Sequence, residues 1–352
     1  MRRQEAWARG CLRGLWIGAA VIALSILSLA PYLTSSTEVV RMRNALLVID
    51  GPDSDFDWTP ATRPASFELD SAPPDPLFAA AVRRLQLDSL PDDWSRAVAI
   101  SRHLLTSSKT LVGGAIQSDL DTTYLRIIEH GEGYCADFVR VFNALAATAG
   151  IPVRSWSFSF DGFGGHGHVI PEIWNRQLGR WQMISVFNNY RFVDSDGRPL
   201  SALEFRRALL EKSTAVQLRP LVASARPGYI HEDKAWAYYR DGATQWYLWW
   251  GNQGFAYDAA WSVRTFEGVS RSLAQFGAMV QGVHPRIRIL ATAQNAPQVA
   301  ALQRVRVHLL IVAGLVALAL MGMAVCAALM FMHGRGRFPK RAELAEIGRA
   351  HV

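Results

Sequence analysis

The stretch that decides the fold is GEGYCADFVRVFNALAATAGIPVR, residues 131–154. Phe138, Val141, Phe142, Leu145 and Ala146 recur at helical spacing, which predicts a helix from Cys135 to about Ala149 with one buried face. Gly150 supplies the stop and Pro152 prevents continuation. Cys135 therefore opens the helix, where unpaired backbone N–H groups and the positive end of the helix dipole favour a thiolate. Gly133 lets the backbone turn sharply just upstream, and the Cys135 amide is placed to serve in an oxyanion hole. The competing reading is a small apolar residue packed into a core, because free cysteine is often buried.

Beyond Gly150 the period changes from helical to alternating. VRSWSFSF (153–160), HVIPEIW (168–174) and RWQMISVF (180–187) read as three strands joined by Gly-rich or polar turns. Upstream, apolar spacing predicts helices over 76–89, 92–107 and 121–129, the second capped by Asp92 and Asp93 after Pro91. Helices first and strands after argue for an α+β fold. A further helix is expected over 201–212, where Ser201 and Glu204 form a capping box, and another over 263–280. ALLVID (45–50) and RIRILAT (286–292) look strand-like. Residues 52–75, rich in Pro, Asp and Ser, read as a linker or irregular wrap.

Two uncharged apolar runs, 14–33 and 309–332, are each long enough to cross a hydrocarbon core of about 30 Å. The first also has the basic flank and the small-x-small site of a signal peptide at Ser28-Leu29-Ala30, but Pro31 follows that site, which favours an uncleaved anchor. Arg2, Arg3, Arg9 and Arg13 precede the first run, and Arg335, Arg337, Lys340 and Arg341 follow the second. Basic flanks stay in the cytoplasm, so both termini are expected there and residues 34–308 outside. Residues 1–13 and 333–352 each carry a formal +3 of the chain's +7. The basic balance is thus a topology signal, and a nucleic-acid partner is not expected. Of three cysteines only Cys135 lies between the two runs, and a lone external thiol is a liability unless buried or used.

The expected order is a cytoplasmic N-terminus (1–13), a transmembrane helix (14–33), a wrap (34–75), a catalytic-type domain (76–215), an aromatic-rich extension (216–308), a second transmembrane helix (309–332) and a basic cytoplasmic tail (333–352). In GGHGHVIPEIW (164–174) a Gly-rich turn leads into a strand with His168 at its first position. His166 would share its face if the strand began there. Paired histidines also suit zinc, but no carboxylate or cysteine stands at a usual ligand spacing, and no acidic calcium loop appears, so neither metal nor cofactor is expected.

GYCADF, then GIPVR, HVIPEIW and a Trp-containing strand together resemble the transglutaminase-like superfamily of papain-fold cysteine enzymes, in a bacterial membrane-anchored form. The resemblance spans about residues 120–210. It implies an α+β core in which a Cys-bearing helix packs on an antiparallel sheet. It also implies that Cys135 is the nucleophile and His168 the general base, acting on amide bonds of a peptide or protein. Ser185 stands four residues after Trp181, where the family has Asp, and Asn188 or Asn189 is the candidate substitute in a Cys-His-Asn arrangement. Tyr134, His166 and Trp174 are the candidate substrate contacts.

Two functions follow as expectations: a periplasm-facing cysteine hydrolase or acyltransferase of the bacterial inner membrane, or a catalytically degenerate binding module in cell-envelope or exopolysaccharide assembly. The aromatic group from Trp236 to Tyr257 is either core with an interfacial belt or a stacking platform, with the core reading preferred. Tyr229, His231 and Trp236 are the members that could line a cleft.

Overall fold

The computed structural model describes residues 2–49, 51, 56–111, 113–116 and 118–335. The described residues fall into two compact units. One holds those up to Ser35 with those from Arg304 onward, and the other runs from Ser36 to Gln303.

In the first unit, α1 (Arg2–Leu27) is followed by a 3₁₀ turn at Ala30–Leu33. The apolar helix expected to Leu33 thus stops at Leu27, because Pro31 has no N–H to give and its ring clashes with the preceding turn. The last helix of the chain, α12 (Ala296–Arg335), begins before the expected 309. Arg9–Leu27 and Ala296–Met332 are long and apolar enough to cross a membrane, and little of either is buried within the protein. Both ring nitrogens of His308 meet hydroxyls, Ser28 Oγ at 3.0 Å and Tyr32 OH at 3.2 Å. Most of the expected basic tail, 336–352, lies outside the described residues.

The second unit begins with α2 (Ser36–Leu47), so Ala45–Leu47, expected as strand, are helical. They continue the pattern set by STEVVRMRN, and among the described residues of the segment extended pairing is found at Val48 and Ile49, which reach Ile287. Four helices follow: α3 (Pro76–Arg84), α4 (Asp93–Leu105), α5 (Leu120–His130) and α6 (Cys135–Thr148). Asp75, Asp92 and Asp119 cap the first three through backbone N–H groups of their first turns, and Gly131 ends α5 in the left-handed region that its φ of 69° requires.

Four strands come next: β1 (Val153–Ser159), β2 (Gly167–Asn175), β3 (Arg180–Ser185) and β4 (Tyr190–Val193). Then come α7 (Ala202–Leu210), β5 (Gln217–Pro220), α8 (Glu232–Asp241), β6 (Trp246–Trp249), α9 (Gly254–Ala259), α10 (Trp261–Phe266), α11 (Arg271–Gln281) and β7 (Ile287–Ile289). The single helix expected over 263–280 is two, broken where Gly268 precedes the Ser270 that starts α11.

The strands form one antiparallel sheet in the order β5-β4-β3-β2-β1-β6-β7. The α+β architecture expected from the sequence is present. The aromatic-rich segment is not an appendage, since β5, β6 and β7 complete the sheet and the wrap residues Phe56, Trp58 and Phe67 are buried in its core.

Two cores form. The first packs α3 to α6, through Phe78, Leu104, Tyr124, Phe142 and Leu145, against Val153, Ile173 and Ile184 of the strands. The second gathers Trp156, Trp181, Trp246 and Trp250 with α7 and α8. At its heart Arg154 Nε and Glu172 Oε2 pair at 2.6 Å, both fully buried. Glu172 also accepts the Trp156 indole N–H at 2.9 Å and the Ala202 amide at 2.7 Å, while Arg154 stacks over Trp58 and Trp181. These bonds satisfy a charge pair that burial would otherwise penalise.

Candidate active site

The site lies where the sheet forks. The β2–β3 ladder runs from Asn175↔Arg180 to Glu172↔Met183 and ends there. Trp174 N donates to Pro152 O on the β1 side, and antiparallel pairing alternates, so the N–H groups of the odd residues in β2 face away from β1. Pro171 is therefore tolerated in a central strand: the hydrogen bond it cannot make would have pointed into the fork. Two residues earlier the Val169 N–H points the same way, and it lowers the cost of charging the Cys135 thiol.

Three features place that sulfur. Gly133 adopts φ of 108°, the buried Asp137 Oδ2 accepts the amides of Tyr134 (2.9 Å) and Ile116 (3.1 Å), and α6 starts at Cys135 itself. The backbone N–H groups of Val169, Ala136 and Cys135 itself favour the thiolate. Helix-start polarisation alone predicts a depressed thiol. Burial instead pushes the Cys135 thiol above its ordinary range and outweighs those three donors, and the Asp137 charge adds to the rise. The residue as a whole keeps some solvent exposure.

His168 projects from the second residue of β2 into the aromatic core, against Phe158, Tyr238 and Tyr239. Burial pushes its imidazole down to about 3, so it is neutral at pH 7. Its Nε2 lies 3.2 Å from Ser185 Oγ and 3.5 Å from Asn188 Nδ2. Asn188 Nδ2 also donates to the Tyr239 hydroxyl at 2.9 Å, and Ser185 hydrogen-bonds the same phenol. Asn188 Nδ2 can only donate, which favours a bare Nε2, whereas Ser185 Oγ can accept Nε2–H and so leave Nδ1 as the basic nitrogen. A carboxylate enforces that second tautomer because it can only accept. Here a serine, an amide and a phenol, all uncharged, stand in its place.

The fork brings His168 together with Ser185 and Asn188, and the amide of Val169, the residue after His168, acts on the Cys135 thiol. Asn189 turns away, its side chain bonding Val222 and Arg226, and its φ of 54° closes the turn after β3. Tyr134 is 47% exposed beside the site with its ring edge-on to Phe187. His166 and Trp174 do not join the cluster. The strand starts at Gly167, leaving His166 exposed in the turn against Phe160, and Trp174 lies at the far end of β2 packed on Trp181. Tyr238 and Tyr239 are the functional neighbours that sequence patterning missed; α8 delivers them from another part of the chain. Tyr229 and Tyr238 feel the Cys135 charge, and burial pushes the Tyr229 phenol up to about 12. His231 is exposed, and Trp236 packs on Phe205 rather than on the thiol.

Residues 80–186 match the family model of the transglutaminase-like superfamily. This segment of the chain is a domain of that superfamily, and it contains Cys135, His168 and Ser185 but neither Asn188 nor α8. No curated protein and no solved structure matches the chain.

Proposed function

We propose that the protein is a membrane-anchored cysteine hydrolase or acyltransferase acting on amide bonds. The observation that supports this is the uncharged network at His168 Nε2, one residue from the Val169 amide that favours the Cys135 thiolate. The resting pair is thiol and imidazole, not thiolate and imidazolium. As the sulfur attacks a carbonyl carbon, its proton passes to His168. The tetrahedral oxyanion collapses, the C–N bond breaks, and His168 returns the proton to the leaving amine. Water or a second amine then opens the thioester and restores the thiol. The basic flanks of the two apolar helices support cytoplasmic termini and a periplasmic position for residues 34–308.

Alkylation of the full chain in detergent by iodoacetamide across pH tests the site. The expected profile rises with a midpoint above that of an ordinary cysteine, and His168→Ala slows reaction at pH 7 by about 10²-fold, the lower range for a lost general base. Equal rates in the two proteins would remove the activated nucleophile from consideration.

A second function, binding without turnover in envelope or exopolysaccharide assembly, is favoured by Ser185 itself. An imidazolium formed during reaction would be buried with no counter-charge from that position. A Cys135→Ala strain with an unchanged phenotype and normal protein abundance would support it over catalysis.

A further inference from the structure

Apart from the thiol site, a pocket of about 600 Å³ opens between the end of α4 and the segment after β5. Its lining includes Arg102, Lys109 and Arg226, with the hydroxyls of Thr106, Ser108 and Ser224, and no acidic residue. Arg226 is the informative member, being only 8% exposed. Its Nε donates to Ser108 Oγ at 2.8 Å, its Nη2 donates to the Phe187 carbonyl, and its guanidinium carbon lies 5.2 Å from the Phe187 ring centroid. Nη1 is buried with no hydrogen-bond partner. The contrast with Arg154 is direct, since that buried guanidinium has Glu172, whereas Arg226 has only neutral acceptors. Burial draws the Arg226 pKa down to about 10, which leaves it charged at pH 7.

A buried guanidinium that has no acidic partner leaves its positive charge uncompensated at the pocket wall, where an anion would offset it. We infer that this pocket binds a phosphate-bearing ligand, with Arg226, Lys109 and Arg102 supplying charge and the Ser224 hydroxyl a further donor, since the Thr106 and Ser108 protons are already given to the Arg102 and Thr110 carbonyls. Phosphate fits better than carboxylate because three cations match a dianion with three or more acceptor oxygens. The pocket also has a defined relation to the rest of the domain. A Cβ on Gly131 would meet Ser107 O at 2.2 Å, so the pocket wall presses on the loop that leads to Cys135. Phe187, clamped by Arg226, packs 5.4 Å from Phe138 and precedes Asn188. The inference does not depend on thiol chemistry.

Calorimetric titration of the full chain with inorganic phosphate tests it, in a phosphate-free neutral detergent with chloride holding ionic strength constant. Saturable binding is expected. Lys109→Glu and Arg102→Glu, both at exposed positions, weaken it by about tenfold each, the equivalent of one charge-assisted hydrogen bond, with unchanged circular dichroism. Arg226→Gln abolishes binding. No saturable heat in the wild type, equal affinity in the two exposed variants, or acetate binding as tightly as phosphate would each overturn the inference. Reconstitution separates the sources. Loss of phosphate binding in vesicles containing phosphatidylglycerol, but not in phosphatidylcholine alone, assigns the pocket to a lipid headgroup, and unchanged affinity in both assigns it to a soluble phosphate compound.

Discussion

The helical half and the aromatic half of the domain solve the same packing problem differently. Around α6 the core is aliphatic and phenyl, each helix presenting one apolar face. Behind the sheet, Trp58, Trp156 and Trp181 surround a fully buried ion pair and, further along, aromatic rings surround a neutral network around His168. The first half packs its helices by burying apolar surface and uses specific hydrogen bonds mainly at the start of α6, where Asp137 holds the turn before Cys135. The second holds the imidazole by matching donors to acceptors, so every member depends on the others.

The largest expected effect tests that dependence. Arg154→Met leaves Glu172 buried without its cation and costs about 3–5 kcal/mol, read as a lower denaturant midpoint followed by tryptophan fluorescence. Adding Glu172→Leu recovers only part of this, because the Ala202 amide and Trp156 indole then lose their acceptor. On the helical side Leu104→Ala costs about 2–5 kcal/mol through a cavity, and alkylation of Cys135 in the folded fraction stays near the wild-type rate.

Acid separates the halves next. The fold holds His168 far below its unfolded value of 6.5, so the unfolded chain takes up the proton first. The contribution of neutral His168 is complete above pH 6.5 and is lost progressively as pH falls from there towards about 3. The buried His284 acts in the same direction, so His168→Gln makes the acid limb of a stability-pH curve shallower without abolishing it. The smallest changes refine the network. Tyr239→Phe removes the acceptor of Asn188 and Ser185 at a cost of about 1–2 kcal/mol, and it slows His168-dependent alkylation more than it alters the fold. Ser185→Asp supplies the missing charge at Nε2, raises the imidazole pKa and increases alkylation at pH 7 by about tenfold if the pair then preforms.

Legibility in the sequence follows the same division. Cys135, Gly150 and Pro152 bound α6 by local rules, and Ser201 with Glu204 caps α7 as its spacing predicts. The pairing of His168 with Ser185 and Asn188 is readable because β2 and β3 are adjacent in the chain. Tyr238 and Tyr239 are not, since only the tertiary packing of α8 carries them to the imidazole. Pro171 was the available signal for the fork: a proline inside a strand rich in Val, Ile and Trp marks where pairing must fail. Ala45–Leu47 are helical because Ala and Leu are strong helix formers that extend the turns before them, and the β-prone character of ALLVID lies in Val48 and Ile49.

The strand order has a consequence for how the chain is made. β1 is paired on one side by β2, its immediate successor, but on the other only by Trp246–Trp249. A nascent or exported chain therefore carries an open edge bearing Trp156 and Phe158 on one face through the synthesis of everything between them, and such an edge invites pairing with a neighbouring molecule. A fragment cut at residue 186, where the family match ends, would keep that edge permanently.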